Sequence, residues 1–119
     1  MENENNISGI QISDDAINTI VTTACKEVEG VVGIHQELES SIKNMFNKKK
    51  VLKGVEHEFV GQNKITIDAA ITVEYGYELT PVGIKVQEKI KEAIENMTSY
   101  EVEKVNVKVA NVKEISKEK

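Results

Sequence analysis

The sequence predicts an α+β fold: a two-layer sandwich in which two main helices pack on one face of a mixed sheet. Two segments repeat apolar residues at helical spacing along one side only, and several others alternate apolar and polar residues, as strands with one buried face do. The 119 residues suffice for one domain. The predicted order is β-α-β-(α)-β-β-α-β. We assign residues 1–6 to a disordered acidic leader, 7–112 to the single domain and 113–119 to a charged tail.

The first third of the chain predicts a strand, a helix and a second strand. Ile7 to Ile12 is a short apolar stretch, and Ser13 then caps a helix whose first turn is acidic. The apolar residues of this helix form one stripe: Ile17, Ile20, Val21, Ala24, Cys25 and Val28. Gly30 stands where we expect a left-handed cap at the helix end. Val31 to Gln36 is expected to be a strand.

The middle of the chain predicts a hairpin preceded by a less regular segment. Within residues 38–53, the run ESSIKNMF has the spacing of about two helical turns, and a lysine-rich loop follows it. Val55 to Val60 and Lys64 to Tyr75 read as two strands joined by a turn at residues 61–63. The second of these strands alternates apolar and polar residues along its whole length, so we expect it to bury one face.

The last third predicts the second helix and a final strand. Gly76 ends the preceding strand, and Thr80 with Pro81 marks a helix start, with threonine as the cap and proline in the first turn. The buried stripe of this helix comprises Val82, Val86, Ile90, Ala93, Ile94 and Met97. The final strand is expected at residues 102–109, where valines alternate with polar residues.

Composition excludes several classes of function. Twenty acidic residues and fifteen lysines, with no arginine, give a net charge of −5. Such a chain is a poor general nucleic-acid binder, and it lacks the guanidinium group that binds phosphates and carboxylates through two hydrogen bonds. One cysteine excludes an internal disulfide. No apolar run reaches the length of a membrane span, and no signal peptide is recognisable, so we expect a cytoplasmic protein.

The residues best suited to chemistry do not form a recognisable catalytic, cofactor or metal motif. His57 is in phase with the apolar residues of its strand, and we interpret it as structural. Glu56 and Glu58 would point away from His57, so the three cannot converge on one metal ion. His35 reads as a surface residue. Cys25 lies within the stripe of the first helix and reads as a small buried hydrophobe.

Two local patterns suggest binding. Residues 30–33, GVVG, match the GxxG of RNA-binding KH domains, but the two valines favour the entry to a strand. The one basic patch comprises Lys48, Lys49, Lys50 and Lys53. It is either a solvated loop or a contact for an anionic lipid surface or an acidic partner. A small nucleic-acid-binding domain that uses this patch is the alternative function.

Read together, the segments resemble the alkaline shock protein family of bacterial envelope-stress proteins. The resemblance spans about residues 10–112, and its matching pieces are individually weak but collectively fairly specific in order and spacing. The residues that carry it are Gly30, Val31, Gly54, Val55, Tyr75, Gly76, Gln87, Met97, Thr98, Asn106 and Val107. Several are glycines at the ends of predicted elements, so we interpret the set as positions that specify the fold.

The resemblance implies a non-enzymatic, cytoplasmic protein of Gram-positive bacteria with a role in envelope stress and cell-wall homeostasis. Together with the absent catalytic motif and the open edges expected of such a sheet, it favours a self-associating interaction module that docks to a membrane-anchored partner, or to a partner in lipid metabolism. Contact with the membrane would then be indirect. A regulator of fatty-acid synthesis is a further alternative, since short members of the family are linked to lipid metabolism. The resemblance supplies no catalytic residue and no cofactor.

Overall fold

The alternating strand at residues 64–74 becomes the centre of the sheet. The computed structural model describes residues 12–35 and 54–115. The elements in chain order are α1 (Asp14–Lys26), β1 (Val31–Ile34), β2 (Val55–Val60), β3 (Lys64–Glu74), α2 (Leu79–Met97) and β4 (Glu101–Lys113). Most of the predicted first strand, the predicted short helix within 38–53 and the lysine patch lie outside the described residues.

The sheet is mixed, as predicted. β1 and β2 both pair antiparallel with the same edge of β3, β1 with its end and β2 with its beginning. β4 pairs with the other edge in parallel, from Lys64 opposite Glu101 to Glu74 opposite Lys113. Two register shifts, after Ile65 and after Ile71, mark irregularities along the pairing of β4.

β1 and β2 meet end to end at Ala70. The backbone N–H of His35 donates to the carbonyl of Ala70 at 2.8 Å, and the N–H of Ala70 donates to the carbonyl of Gly54 at 2.8 Å. The chain therefore leaves this edge of the sheet after β1 and returns to it at almost the same point. Residues 36–53 connect the two strands.

Both helices cover one face of the sheet and enclose the core. The fully buried side chains come from alternate positions of β3 and from the stripes of the two helices, as the periodicities predicted. The largest of them are Ile17, Val21, Ile65, Ile67, Ile71, Val73, Val86, Ile90 and Ile94. The observed architecture is the predicted α+β sandwich.

The ends of several elements differ from the predictions. α1 ends at Lys26 with Glu27 as its cap, so Gly30 is not the cap; it has φ +97° three residues later and leads into β1. α2 begins at Leu79, because Glu78 holds the cap position, and Thr80 is therefore inside the helix. β1 ends at Ile34, and β4 runs on to Lys113.

Candidate interaction surfaces

The residues that carry the family resemblance mostly make backbone or packing contacts. A Cβ atom at Gly30 would lie 2.9 Å from the ring of Tyr77, so only glycine allows this close approach. The Tyr77 hydroxyl donates to Oε2 of Glu29 at 3.1 Å, and this bond raises the pKa of the tyrosine. Val31 follows at the start of β1, opposite Val73. This corner joins the end of α1 to the loop before α2.

Gly54 occupies the joint between β1 and β2. A Cβ atom there would collide with the side chain of Ile34 and with the carbonyl oxygen of His35. Val55 then starts β2 opposite Ala69. The glycine therefore permits the two strands to meet end to end.

Tyr75 and Gly76 form the turn after β3. The N–H of Tyr75 donates to the carbonyl of Lys113 at 2.8 Å, while its side chain is exposed. Gly76 has φ +109°, a conformation that side chains disfavour, and no atom stands where its Cβ would be. Backbone geometry accounts for this glycine.

Gln87, Met97 and Thr98 belong to α2 and its end. The Gln87 side chain donates from Nε2 to the carbonyl of Val105 at 3.1 Å. Thr98 closes the helix: its hydroxyl donates to the carbonyl of Ile94 at 2.7 Å and accepts the N–H of Tyr100 at 3.0 Å. Met97, predicted to lie in the buried stripe, is instead 67% exposed, because it is the last residue of the helix.

Asn106 and Val107 are neighbours on β4 that face opposite sides of the sheet. Asn106 donates from Nδ2 to Oδ1 of Asp68 at 2.8 Å across the open face. Val107 is paired with Ala69 and packs against the core. The motif residues are thus distributed over turns, a cap and the sheet, and they do not converge on one pocket.

His57 is enclosed between β2 and the beginning of α1. Its Nε2 atom lies 3.1 Å from Oδ1 of Asp14, and its side chain is 11% exposed. Its ring contacts Phe59 edge to face at 5.3 Å, and Phe59 in turn contacts Tyr100 at 5.0 Å. Neighbouring residues of a strand point to opposite faces, so Glu56 is on the other side of the sheet from this cluster.

Cys25 has no exposed surface, as expected from its place in the stripe of α1. Burial raises the pKa of its thiol to about 12. The thiol is therefore neutral at physiological pH, and this protonation state opposes a role as a nucleophile. His35 is half-buried at the end of β1.

The face of the sheet opposite the helices is polar and carries charges of both signs. Glu58 and Asp68 lie on it in β2 and β3, Lys104 and Lys108 lie on it in β4, and Lys64 is paired with Glu101 at one end. In the middle, Ala70 is half-buried and Thr72 is buried. This pattern is typical of a sheet with one solvated face.

A groove with apolar side chains on both walls lies between the first turns of α2 and β4. Its volume is about 260 Å³, and its lining includes Leu79, Gly83, Ile84, Val107 and Val109. Leu79 is 41% exposed and Ile84 48% exposed. We did not predict this groove from the sequence. Its signal was two large apolar residues outside the buried stripe of α2.

The described residues, 12–35 and 54–115, contain neither a metal-binding cluster nor a membrane-spanning helix. In that region no group of three or more histidine, cysteine, aspartate or glutamate side chains could hold a metal ion. None of the described helices is long and apolar enough to cross a membrane. Lys48, Lys49, Lys50 and Lys53 lie outside the described residues, so the predicted contact patch stays a prediction.

Comparison with known proteins identifies relatives over nearly the whole chain. Residues 2–114 match the model of the alkaline shock protein 23 family, which is described as having a cell envelope-related function. The uncharacterized protein YqhY of Bacillus subtilis is 28% identical over 109 residues, which cover 92% of this chain and 80% of YqhY. A stress response regulator gls24 homolog of Streptococcus pyogenes is 30% identical over 101 residues, or 84% of this chain. The match spans only 56% of that streptococcal protein.

Solved structures share the fold at low sequence identity. The C-terminal domain of MamM superposes with a TM-score of 0.51 at 17% identity, covering 83% of this chain and 98% of that domain. A second variant of the same domain gives a TM-score of 0.50 at 18% identity. This likeness concerns the fold alone.

Proposed function

The chain belongs to the alkaline shock protein 23 family, whose function is related to the cell envelope, and from this premise we propose that it is a non-enzymatic, self-associating interaction module. In this proposal it works in the cytoplasm and docks to a membrane-anchored protein or to a protein of lipid metabolism. Its own contact with the membrane is indirect. Envelope stress is the condition in which the module acts.

The observation that carries the proposal is the apolar groove between α2 and β4. Apolar residues that cluster at the surface of a protein often mark a binding site. Leu79 and Ile84 lie outside the core stripe of α2, so packing within the described fold does not require large apolar side chains at these positions. The polar open face of the sheet offers a second, charged surface on the same domain. One domain thus presents two chemically different surfaces for partners.

The histidine and cysteine chemistry supports a binding role over a catalytic one. His57 is held between Asp14 and Phe59 beneath the start of α1, and Cys25 is fully buried with a raised pKa. A catalytic group must reach its substrate, and neither side chain is placed to do so. Both instead contribute to packing.

The test of this proposal is crosslinking in living cells followed by mass spectrometry, with and without envelope stress. We expect crosslinks between copies of the chain and to a membrane-anchored or lipid-metabolic protein, with stress changing their yield. A matched strain carries Ile84→Lys, which places a charge in the groove, and a control strain carries Met97→Lys at the exposed far end of α2. A strictly monomeric protein without such a partner would contradict the proposal.

The lysine patch supplies the alternative function and its own test. If residues 48–53 bind nucleic acid, charge reversal at Lys48, Lys49, Lys50 and Lys53 abolishes retention on mixed DNA and RNA, and binding weakens steeply with salt. The net charge of −5 favours the interaction module instead. Lack of retention at low salt would eliminate the nucleic-acid function. A regulator of fatty-acid synthesis would appear in the crosslinking experiment through the identity of the partner.

A further inference from the structure

The outer edge of β4 borders the apolar groove. Among residues 12–35 and 54–115, β4 pairs only with β3, so its other edge has no strand beside it. Long open edges are natural pairing surfaces for another chain. Asp14, at the beginning of α1, lies over β2 on the opposite edge of the sheet.

Side chains of α2 occupy part of this edge and leave part of it open. Oε2 of Glu95 accepts the N–H of Val102 at 2.9 Å, and Gln87 donates to the carbonyl of Val105 at 3.1 Å. The backbone groups of Val102 and Val105 therefore face outward. Because alternate residues of a strand direct their backbone groups to the same side, those of Val107 and Val109 also face outward. These two residues line the groove, where the edge is available for pairing.

Gly83 is a glycine inside α2 that the described fold does not require. A Cβ atom there would meet no atom within 4 Å, and its φ is not positive. Glycine in a helix interior lowers stability by about 1 kcal/mol relative to alanine. The position lies in the groove between Leu79 and Ile84, on the surface that a neighbouring helix would approach. A close approach from outside the chain gives this glycine a role.

The charges along β4 indicate which partner fits. The strand begins with Glu101 and Glu103 and continues with Lys104, Lys108 and Lys113. An antiparallel second copy of the strand, with a two-fold axis through Val107, places Glu101 of each copy opposite Lys113 of the other. In that register Glu103 faces Asn111, Lys104 faces Ala110, and Asn106 faces Lys108. No like charges are opposed, and pairing on both sides of Val107 requires the Gln87 side chain to release the carbonyl of Val105.

We propose that a second copy of this chain covers the groove with its own α2 and β4. The two β4 strands pair antiparallel about Val107. The inference rests on the proposed self-association and names the surface that performs it. The pairing extends the sheet across both copies. It also brings the two α2 helices together at Leu79 and Ile84, where Gly83 leaves room for the approach. The contact is isologous, so it closes as a dimer.

The first test measures the oligomeric state by sedimentation velocity over a range of concentrations. We expect the wild-type chain to form a dimer, and Ile84→Lys to weaken that dimer by roughly tenfold or more, because a charge enters an apolar joint. Met97→Lys puts the same charge on an exposed apolar residue at the other end of α2, and it leaves the dimer unchanged. Gly83→Ala also weakens the dimer, although alanine raises the thermal stability of the monomer.

The second test is a disulfide across the two-fold axis. Residues directly opposite in a hydrogen-bonded antiparallel pair have Cα atoms about 5.5 Å apart, a distance that a disulfide spans. Val107→Cys should therefore form a covalent dimer on mild oxidation, whereas Glu58→Cys on β2 should not. The native Cys25 is fully buried and does not compete.

The outcomes separate this inference from the proposed function. A wild-type dimer that Ile84→Lys does not weaken, with no crosslink through Val107→Cys, would overturn the β4 surface while self-association stands. A wild-type chain that is monomeric at every concentration would overturn both the surface and the self-association. A dimer that responds to both variants supports the inference.

Discussion

Cys25 makes the stability of the folded protein depend on pH in the alkaline range. Burial raises the pKa of its thiol from 9.0 to about 12, so the folded state keeps its proton when the unfolded state has lost it. The stabilising contribution is complete below pH 9 and is lost as the pH rises toward 12, at about 1.4 kcal/mol per pH unit. We therefore expect the free energy of unfolding to fall more steeply in this range for the wild type than for Cys25→Ala.

Urea unfolding of the two proteins at a series of pH values measures this difference. The alanine variant is less stable near neutral pH because it leaves a cavity. Its deficit should shrink between pH 9 and 12, since only the wild type has a thiol to ionise. A deficit that stays constant over this range would contradict the assignment. Iodoacetamide should not modify Cys25 in the folded wild type, and it should modify this thiol once the protein is unfolded.

Gly54 gives a steric prediction at a single position. Because a Cβ atom there collides with Ile34 and with the backbone of His35, we expect Gly54→Ala to destabilise the fold by about 1–3 kcal/mol. Gly33 is the matched control: it lies on β1 with nothing within 4 Å of a Cβ atom. Gly33→Ala should change stability by less than about 0.5 kcal/mol in either direction. Equal effects in thermal unfolding would refute the close contact at Gly54.

At the scale of elements, the two helices begin in different ways. The Ser13 side chain accepts the N–H of Ala16 at 3.1 Å, so it caps α1 as predicted. Glu78 holds the cap position of α2 and makes no capping bond through its side chain, while Thr80 is already helical. We expect Ser13→Ala to cost about 1 kcal/mol and Thr80→Ala to cost almost nothing. Chemical denaturation measures the free energy of unfolding of both variants. A loss of stability in Thr80→Ala comparable to that in Ser13→Ala would contradict the observed start of α2.

The difference between these two helices shows what local sequence could predict. Periodicity predicted both helices and the buried face of β3, because the spacing of apolar residues directly reflects which side is covered. The cap predicted at Thr80 lies two residues too late. Threonine followed by proline fits the cap and first helical position, but it also fits the first turn of a helix that Glu78 caps. The pairing of β1 and β2 with one edge of β3 depends on contacts between distant residues, which no local pattern contains. We did not predict the groove at Leu79 and Ile84 from the sequence, because we considered only the apolar residues within the buried stripe of α2.

At the scale of the whole molecule, Ala70 lies beside both residues that flank the segment 36–53, and we expect this segment to be replaceable. Ala70 bonds to His35 through its carbonyl and to Gly54 through its N–H, so the two ends of the segment flank a single residue of β3. A short Gly/Ser linker can span this distance. Since β1 and β2 keep their own pairing with β3, we expect replacement of residues 36–53 by such a linker to preserve the sheet and cooperative unfolding.

The replacement also separates the lysine patch from the rest of the protein, because it removes Lys48, Lys49, Lys50 and Lys53 together. The matched control is the full-length chain with these four lysines changed to glutamine. If the patch contacts an acidic partner, both proteins lose that contact and still form the β4 dimer, which lies at the opposite edge of the sheet. Circular dichroism and thermal unfolding report the fold, and sedimentation reports the dimer. Loss of the cooperative transition in the linker variant alone would mean that residues 36–53 are required by the core and are not a removable connection.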